Sequence, residues 1–518
     1  MKHLRWLAFL AAPAAFAQAP SPAPPAEALQ SITGKEIGGH LRFLASDLMK
    51  GRDTASPESR LAGEYLAAHL FAAGAEPMGE ADDKGNRTYF QAFPVEVITP
   101  MEEGTGLSLT VASGDSKKTI PLKLGEDFIF LPRGVDGGEV EAPVVFAGYG
   151  RDDEAKKVND YDGLDVKGKC VLVYAGEPEE GERPRPSNPF AKAEPARKRG
   201  ALGVLIMTAP GKELPANRPA TPPRNMGFGR TMMTLGTGPA GNIPTITINP
   251  SARDTVAEAL SLAADTKPQL LADGNVKARF SYAQKKDAKG DRNVLGYFPG
   301  SDPEKRKEII IYSAHYDHVG VGADGQIYNG SDDNASGTST LLELAEAYGK
   351  APRPARSVAF LWVSGEEKGL WGSQWYSNHM TVPEGYKIVA DINIDMVSRN
   401  DPTKVGITPS PKHKDYNTLI PAAQAACEAE GMEAQFNADS YYARTDSYNF
   451  AAKGIPIIFF FTGEHADYHK PTDDYEKADI EKAARIGRTA FRLGWQAAQA
   501  DEAPHKIQAE PAKEEAKP

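Results

Sequence analysis

Four apolar, β-prone runs in the second half of the chain each end abruptly in groups able to hold a metal. Ile309-Ile310-Ile311-Tyr312-Ser313-Ala314 leads into His315-Tyr316-Asp317. Residues 357–365 run into Glu366-Glu367, residues 386–394 into Asp395, and residues 455–461 through a short loop to His465 and His469. Residues 336–348 and 369–379 between them have helical patterning. The resulting βαβ alternation predicts an α/β fold with a doubly wound, mixed but mostly parallel sheet. Such sheets hold ligands and catalytic groups in the crevice beyond the carboxyl ends of their strands, so the four junctions are expected to converge.

The first half of the chain has a different texture. Leu41, Phe43, Leu44 and Leu48 fall at helical spacing, and residues 64–71 make a second amphipathic helix. His40 and His69 lie on these helices without acidic companions in sequence, which gives them core or surface roles. A β-rich passage opens at Tyr89 and extends to about residue 132. From Glu139 the pattern changes to short strands with glycine turns, at 143–150, 168–175, 203–207 and 243–248, with a basic helix at 193–199. The Pro-, Gly- and Met-containing passage 212–242 reads as surface loops. No His, Asp or Glu cluster of ligand type occurs in this block. The expected organisation is a proline-rich linker at 18–30, the first part of one domain at 31–138, an inserted β-rich domain at 139–281, the catalytic part at 282–500 and a disordered tail at 501–518.

Composition narrows the partners. A chain of 518 residues is too long for one ordinary core, and 41% hydrophobic with 25% charged residues is normal globular usage. The net charge of −11 and pI near 5.5, without a long Lys/Arg cluster, argue against nucleic acid. Met1-Lys2-His3-Leu4-Arg5 is cationic, residues 6–16 are mostly apolar, and Ala15-Phe16-Ala17 offers small residues before a cut. This is the tripartite pattern of a secretory signal, expected to be removed near Ala17 and to place the protein in the periplasm or outside the cell. No cysteine near that point suggests a lipid anchor, and no later stretch is long and apolar enough to cross a bilayer. The two cysteines, Cys170 and Cys427, fall in different expected domains and read as buried structural residues.

His315 can serve a metal while Asp317, two residues on and so on the same side of an extended strand, orients an imidazole. The segment Asn329-Gly330-Ser331-Asp332-Asp333-Asn334-Ala335-Ser336-Gly337 puts carboxylates just ahead of a helix, where they also cap orphan N–H groups. Glu366-Glu367 reads equally as a solvated pair at a helix entrance, yet adjacent carboxylates ending so apolar a strand are costly without a cation. With one, the first can handle protons while the second binds metal. Two histidines and three carboxylates from separate strand ends suit a pair of borderline divalent ions, zinc foremost.

These motifs, His315-x-Asp317, Asp333-x-x-Ser336-Gly337, Glu366-Glu367, Asn393-x-Asp395-Met396 and His469-x-Pro471-x-Asp473, resemble in order those of the secreted di-zinc aminopeptidases of metallopeptidase family 28. The resemblance covers roughly residues 30 to 495. Within it, residues 139–281 resemble a protease-associated (PA) domain, through Phe146-Ala147-Gly148-Tyr149-Gly150 and Asp165-Val166-Lys167-Gly168-Lys169. The resemblance implies two zinc ions per chain, one on His315 and Asp395, the other on Glu367 and His469, with Asp333 bridging. It implies Glu366 as general base and peptides with a free N-terminus as substrates. It selects Asp333 over Asp332 and His469 over His465. The chain departs from the family at Arg444-Thr445-Asp446-Ser447, where Ser-Asp-His is usual. Other functions compatible with the resemblance are a carboxypeptidase or dipeptidase, with Arg444 as a candidate for a terminal carboxylate, a mono-zinc glutaminyl cyclase, and a non-enzymatic receptor-like protein. Oligomeric state is not readable from the sequence.

Overall fold

In the computed structural model, residues 23–507 are described except 132–134, 136, 155–156, 177–188, 212–231, 236–241 and 323. The expected signal at 1–17 lies outside the described residues. The chain divides into two compact units, one of residues 1–91, 293–321 and 326–518, the other of residues 92–292 and 322–325.

The first unit is built on a nine-stranded sheet. Its centre is parallel, in the order Ser357–Val363, Glu308–His315, Lys387–Ile394, Ile457–Phe461, with antiparallel strands on both flanks (Asp291–Phe298 and Lys404–Thr408). The chain passes from the Glu308–His315 strand to a neighbour on one side, then to Lys387–Ile394 on the other. This change of direction is the switch point at which doubly wound sheets open a crevice. The alternation of side chains explains why Glu308–His315 and Ser357–Val363 are apolar on both faces over most of their length. Ile310, Tyr312, Ala314, Val358, Phe360 and Trp362 face one buried layer, whereas Ile309, Ile311, Ala359, Leu361 and Val363 face another.

Helix Ile480–Gln499 lays Ile486, Phe491, Leu493 and Trp495 into the first of those layers. It comes so close that a Cβ on Gly494 would stand 1.8 Å from the Tyr312 hydroxyl, which donates to the Ala490 carbonyl at 3.0 Å. The expected helices are present as Gly337–Lys350 and Trp371–Asn378.

The second unit has a ten-stranded sheet whose parallel centre joins Gly138–Phe146, Cys170–Tyr174, Gly203–Met207 and Thr245–Ile248. The long strand Val95–Ser113 pairs antiparallel with Val276–Ala288, and Phe128–Leu131 pairs with Thr245–Ile248. The β-rich passage that the sequence reading grouped with the first domain therefore adds strands to this second sheet. The alternation at 95–113 shows that a strand exists but does not say across which edge it pairs.

Two terminal expectations need correction. Ala26–Gln30, inside the expected linker, is a helix with Ala28 and Leu29 buried. Residues 501–507 of the expected disordered tail are docked: Lys506 bridges to Asn417, and Thr418 and Ile507 make main-chain hydrogen bonds with His505 and Tyr416. Their charged composition hid backbone pairing, which needs no apolar side chain. Both cysteines are free and buried.

Candidate metal centre

The strand ends place the ligand-type groups. His315 is the last residue of its strand, in register with Val363, and its carbonyl accepts from Thr338 Oγ1 at 2.7 Å. One residue past the neighbouring strand, Ser364 leads into Gly365, whose φ of +77° turns the chain sharply; a Cβ there would press on Trp371 at 3.0 Å. This turn presents Glu366 and Glu367 to the crevice, with the Glu366 amide donating to Asp317 Oδ1 at 3.2 Å. The Asp395 amide is tied to the Phe460 carbonyl at 3.1 Å. Asp332 and Asp333 sit on an irregular turn at Ser331–Ser336, where Asp473 Oδ2 accepts from both of their amides at 3.0 and 3.2 Å.

Two donor groups result, and they share Asp333. The first comprises His315, Asp333 and Asp395, with His315 Nε2 3.4 Å from Asp333 Oδ1 and 3.4 Å from Asp395 Oδ1. The second comprises His318, Asp333, Glu367 and His469. In it His469 Nε2 lies 2.9 Å from Asp333 Oδ2 and 3.1 Å from Glu367 Oε2. Glu366 belongs to neither group, although its Oε2 is 4.0 Å from His315 Nε2.

Asp317 acts differently from the sequence expectation. Its main-chain carbonyl, not its carboxylate, lies within hydrogen-bond distance of His315 Nδ1, at 3.2 Å against 3.8 Å. The carboxylate instead accepts from Thr54 Oγ1 at 2.8 Å and from the Glu366 amide, so it braces the turn that carries the glutamate pair. The two candidates set aside by the resemblance meet each other: His465 Nε2 is 3.2 Å from Asp332 Oδ2, apart from both donor groups. Arg444 is exposed and pairs with Glu464 at 3.4 Å. His40 does have an acidic companion, Glu343, 3.1 Å from its Nε2, brought in from a distant helix.

The electrostatics are those of a buried anionic nest. Burial alone would lower the pKa of His315, but Asp395, Glu366 and Asp333 hold it well above the ordinary imidazole value. His469 is likewise opposed by burial and raised by Asp333 and Glu367, to about 11. Burial raises Glu366 well above the carboxylate range, with Asp446, Glu367 and Asp395 adding to the effect of burial and His315 opposing it. Glu367 resists burial through His318 and His469 and falls to about 2. Asp446, buried beside them, is pushed up to about 7 by burial, against His315 and with Asp317 and Asp395. Among these groups Glu367 Oε1, Asp395 Oδ1 and both nitrogens of His318 are buried with no hydrogen-bond partner. Converging carboxylates and imidazoles with unsatisfied lone pairs fit divalent cations of the zinc type.

Sequence reasoning missed four residues of this region. His318 stands beside the expected ligands and was signalled only by its spacing of three from His315. Arg52, 1% exposed, donates to the carbonyls of Tyr316, Asn329 and Gly330 at 2.9, 2.8 and 3.0 Å and to that of Leu44. It lies far upstream, and no local signal marks it. The ring of Tyr468 stacks on His469 at 4.0 Å, and its phenol is kept protonated by burial and by Asp333, Glu367, Glu366 and Asp395. Asp473 was seen only as part of a motif, not as the acceptor that fixes the Asp332–Asp333 turn.

Fold and site together describe a doubly wound α/β protein with two adjoining groups of metal-type side chains at the carboxyl ends of its parallel strands. Residues 293–494 match Peptidase family M28 and residues 140–254 match the PA domain. It is 30% identical over 190 residues to leupeptin-inactivating enzyme 1 of Streptomyces exfoliatus, covering 36% of this chain and 38% of that protein. An aminopeptidase of Pseudomonas aeruginosa is 27% identical over 397 residues, covering 73% of this chain and 62% of the relative. The chain thus spans less than two thirds of the length of these relatives. The solved aminopeptidase of Aneurinibacillus sp. strain AM-1 shares the fold, with a TM-score of 0.57 at 22% identity, covering 94% of this chain and 98% of that one. Among the described residues no helix is long and apolar enough to cross a membrane.

Proposed function

We propose that this protein is an exported, zinc-dependent aminopeptidase that removes N-terminal residues from peptides. The observation that carries the reading is Asp333, shared by two donor groups, with Glu366 next to one of them and part of neither. His315, Asp333 and Asp395 would hold one zinc, and Asp333, Glu367 and His469 the other. When bound, such ions polarise a carbonyl and make water acidic enough to attack at neutral pH.

The protein's own groups supply the remainder. Glu366 accepts the proton of the attacking water and returns it to the leaving amine as the peptide bond breaks. The Tyr468 phenol, protonated at working pH, donates a hydrogen bond to the oxygen on which charge develops. Asp317, through Thr54 and the Glu366 amide, keeps the glutamate pair aimed. With the two ions offsetting their own ligands, Glu366 and Asp446 are the carboxylates beside the centre that would favour a chain end carrying an ammonium over one carrying a carboxylate. Arg444, exposed and paired with Glu464, does not reverse that field, so the aminopeptidase reading stands ahead of the carboxypeptidase one. The second donor group favours this reading over that of a mono-zinc cyclase, and the full set of ligand-type residues favours it over a receptor-like protein.

Aminoacyl nitroanilides with free and acetylated amines, assayed alongside metal analysis of the mature protein, test this proposal. The expected result is two zinc ions per chain and turnover of free amines only. Glu366→Gln lowers turnover about 10²–10⁴-fold with metal retained, whereas Glu367→Gln weakens one zinc. Equal turnover of blocked substrates removes the aminopeptidase reading, and metal loss in Glu366→Gln removes its role as base.

A further inference from the structure

His318 lies within the second donor group, yet the proposed chemistry makes no use of it. Its side chain is completely buried, its imidazole points into the second donor group, and neither ring nitrogen has a hydrogen-bond partner. Nδ1 is 2.7 Å from Glu367 Oε1 and 3.8 Å from Asp333 Oδ2. The first distance is within hydrogen-bonding range, yet Oε1 also lacks a partner, so the ring N–H direction does not meet the carboxylate. Close approach without hydrogen-bond direction is what two donors aimed at a common third point display. The ligand atoms of His318, Asp333, Glu367 and His469 all lie within 4.8 Å of one another, a spread that donors about 2.0–2.2 Å from one ion can satisfy.

We propose that His318 is itself a ligand, through Nδ1, of the ion held by Glu367 and His469. This inference rests on the reading of the centre as a two-metal site. It gives the second ion two imidazoles and the first ion one. It also gives the short His315–His318 segment a single logic, in which each histidine faces one oxygen of Asp333, Nε2 of His315 toward Oδ1 and Nδ1 of His318 toward Oδ2.

The ring is held in place for this role. Gly330 lies beneath it, where a Cβ would come within 2.4 Å of the imidazole carbons. The His318 amide donates to the Arg52 main-chain carbonyl at 3.3 Å, and the Arg52 guanidinium donates to the Gly330 carbonyl, so both walls of the slot are tied to one residue. The His469 ring meets that of His318 nearly edge-on, with centroids 5.6 Å apart and planes at 74°. The rival role is that of a positioning residue that only orients Glu367. Losing such an outer partner costs a metal site about 10–100-fold in affinity and leaves the imidazole count unchanged.

The test counts imidazoles. X-ray absorption at the zinc edge of the full-length mature protein, loaded with two equivalents of zinc, is expected to show outer-shell scattering from three imidazoles shared by two ions. Two imidazoles would overturn the proposal, and this measurement needs no variant. In a chelator-competition titration, His318→Ala should weaken one zinc step by more than about 100-fold and leave the other unchanged, beyond what an orienting partner supplies. His318→Gln, closer in size, covers the case in which the alanine variant does not fold. Both steps unchanged in a folded variant would also overturn the proposal. Wild-type protein that takes up no zinc or one ion overturns the two-metal reading as well, whereas two tightly bound ions with only two imidazoles overturn the His318 assignment alone.

Discussion

Replacing Arg52 tests whether the centre is held by geometry or by charge. Its guanidinium donates to four carbonyls: Leu44 at the end of helix Gly34–Leu44, Tyr316 between His315 and Asp317, and Asn329 and Gly330 ahead of the Asp332–Asp333 turn. Arg52→Met keeps most of the buried volume and removes every one of these donors. A buried carbonyl that loses its only donor costs about 1–3 kcal/mol, and some of the four will relax onto water or neighbours. The Gly330 carbonyl keeps the Ala335 amide as a donor, so the lower figure for each of the other three gives about 3 kcal/mol, at the low end of the range for breaking other buried charged contacts.

Tryptophan fluorescence during urea unfolding isolates the relevant unit, because Trp362, Trp371, Trp375 and Trp495 all lie in it and residues 92–292 contain none. Arg52→Lys separates the two contributions. Lysine keeps the positive charge that burial opposes in the arginine, whose pKa falls to about 10 despite Asp317, Asp333, Asp473 and Glu367. Its donors, however, radiate from one atom and cannot span carbonyls on three segments. Less than half of the loss should therefore be recovered. A loss under about 1 kcal/mol in Arg52→Met, against the several expected from the unsatisfied carbonyls, or wild-type stability in Arg52→Lys, refutes the argument.

Zinc loading at pH 7.5 is expected to expel protons, because His469 (about 11) and His315 (well above the usual value) are protonated in the metal-free protein. Their raised values stabilise the metal-free fold fully below the unfolded imidazole pKa near 6.5, and that contribution is lost as pH rises toward about 11. Zinc affinity should accordingly strengthen across the same window, and calorimetry in buffers of different ionisation enthalpy that finds no proton release removes this account. Tyr468→Phe should lower turnover about 10²–10³-fold with little change in zinc content, the share expected of one oxyanion donor; steady-state kinetics with unchanged kcat removes the donor role. Gly494→Ala should destabilise the first unit by about 1–3 kcal/mol through the clash with Tyr312, read by the same fluorescence transition, and a neutral substitution would mean that the helix can shift.

The strand-to-ligand junctions were legible because a buried parallel strand is apolar along its whole length, and any ionisable group at its end stands out. Glu308–His315 and Ser357–Val363 come close to this, Lys387–Ile394 departs from it through buried Asp391 and Asn393, and each of the three ends within three residues of a ligand-type group. The edges of the sheets were not legible. Val95–Ser113 alternates like any strand, and its partner Val276–Ala288 lies far along the chain, so the sequence contains the strand but not its neighbour.

Arg52 was invisible for a related reason. Its partners are carbonyls, which every residue possesses, and nothing in Lys50-Gly51-Arg52 distinguishes it from an exposed basic turn. His318 is the more instructive omission. A His-x-Asp template ends at Asp317, and the period of two along a strand would turn residue 318 away from His315. The strand, however, stops at His315, so beyond it the alternation no longer applies and the next turn of chain brings His318 back against Asp333. A histidine just past the end of a buried strand should therefore be read by the geometry of the loop that follows, with the strand's period set aside from that point on.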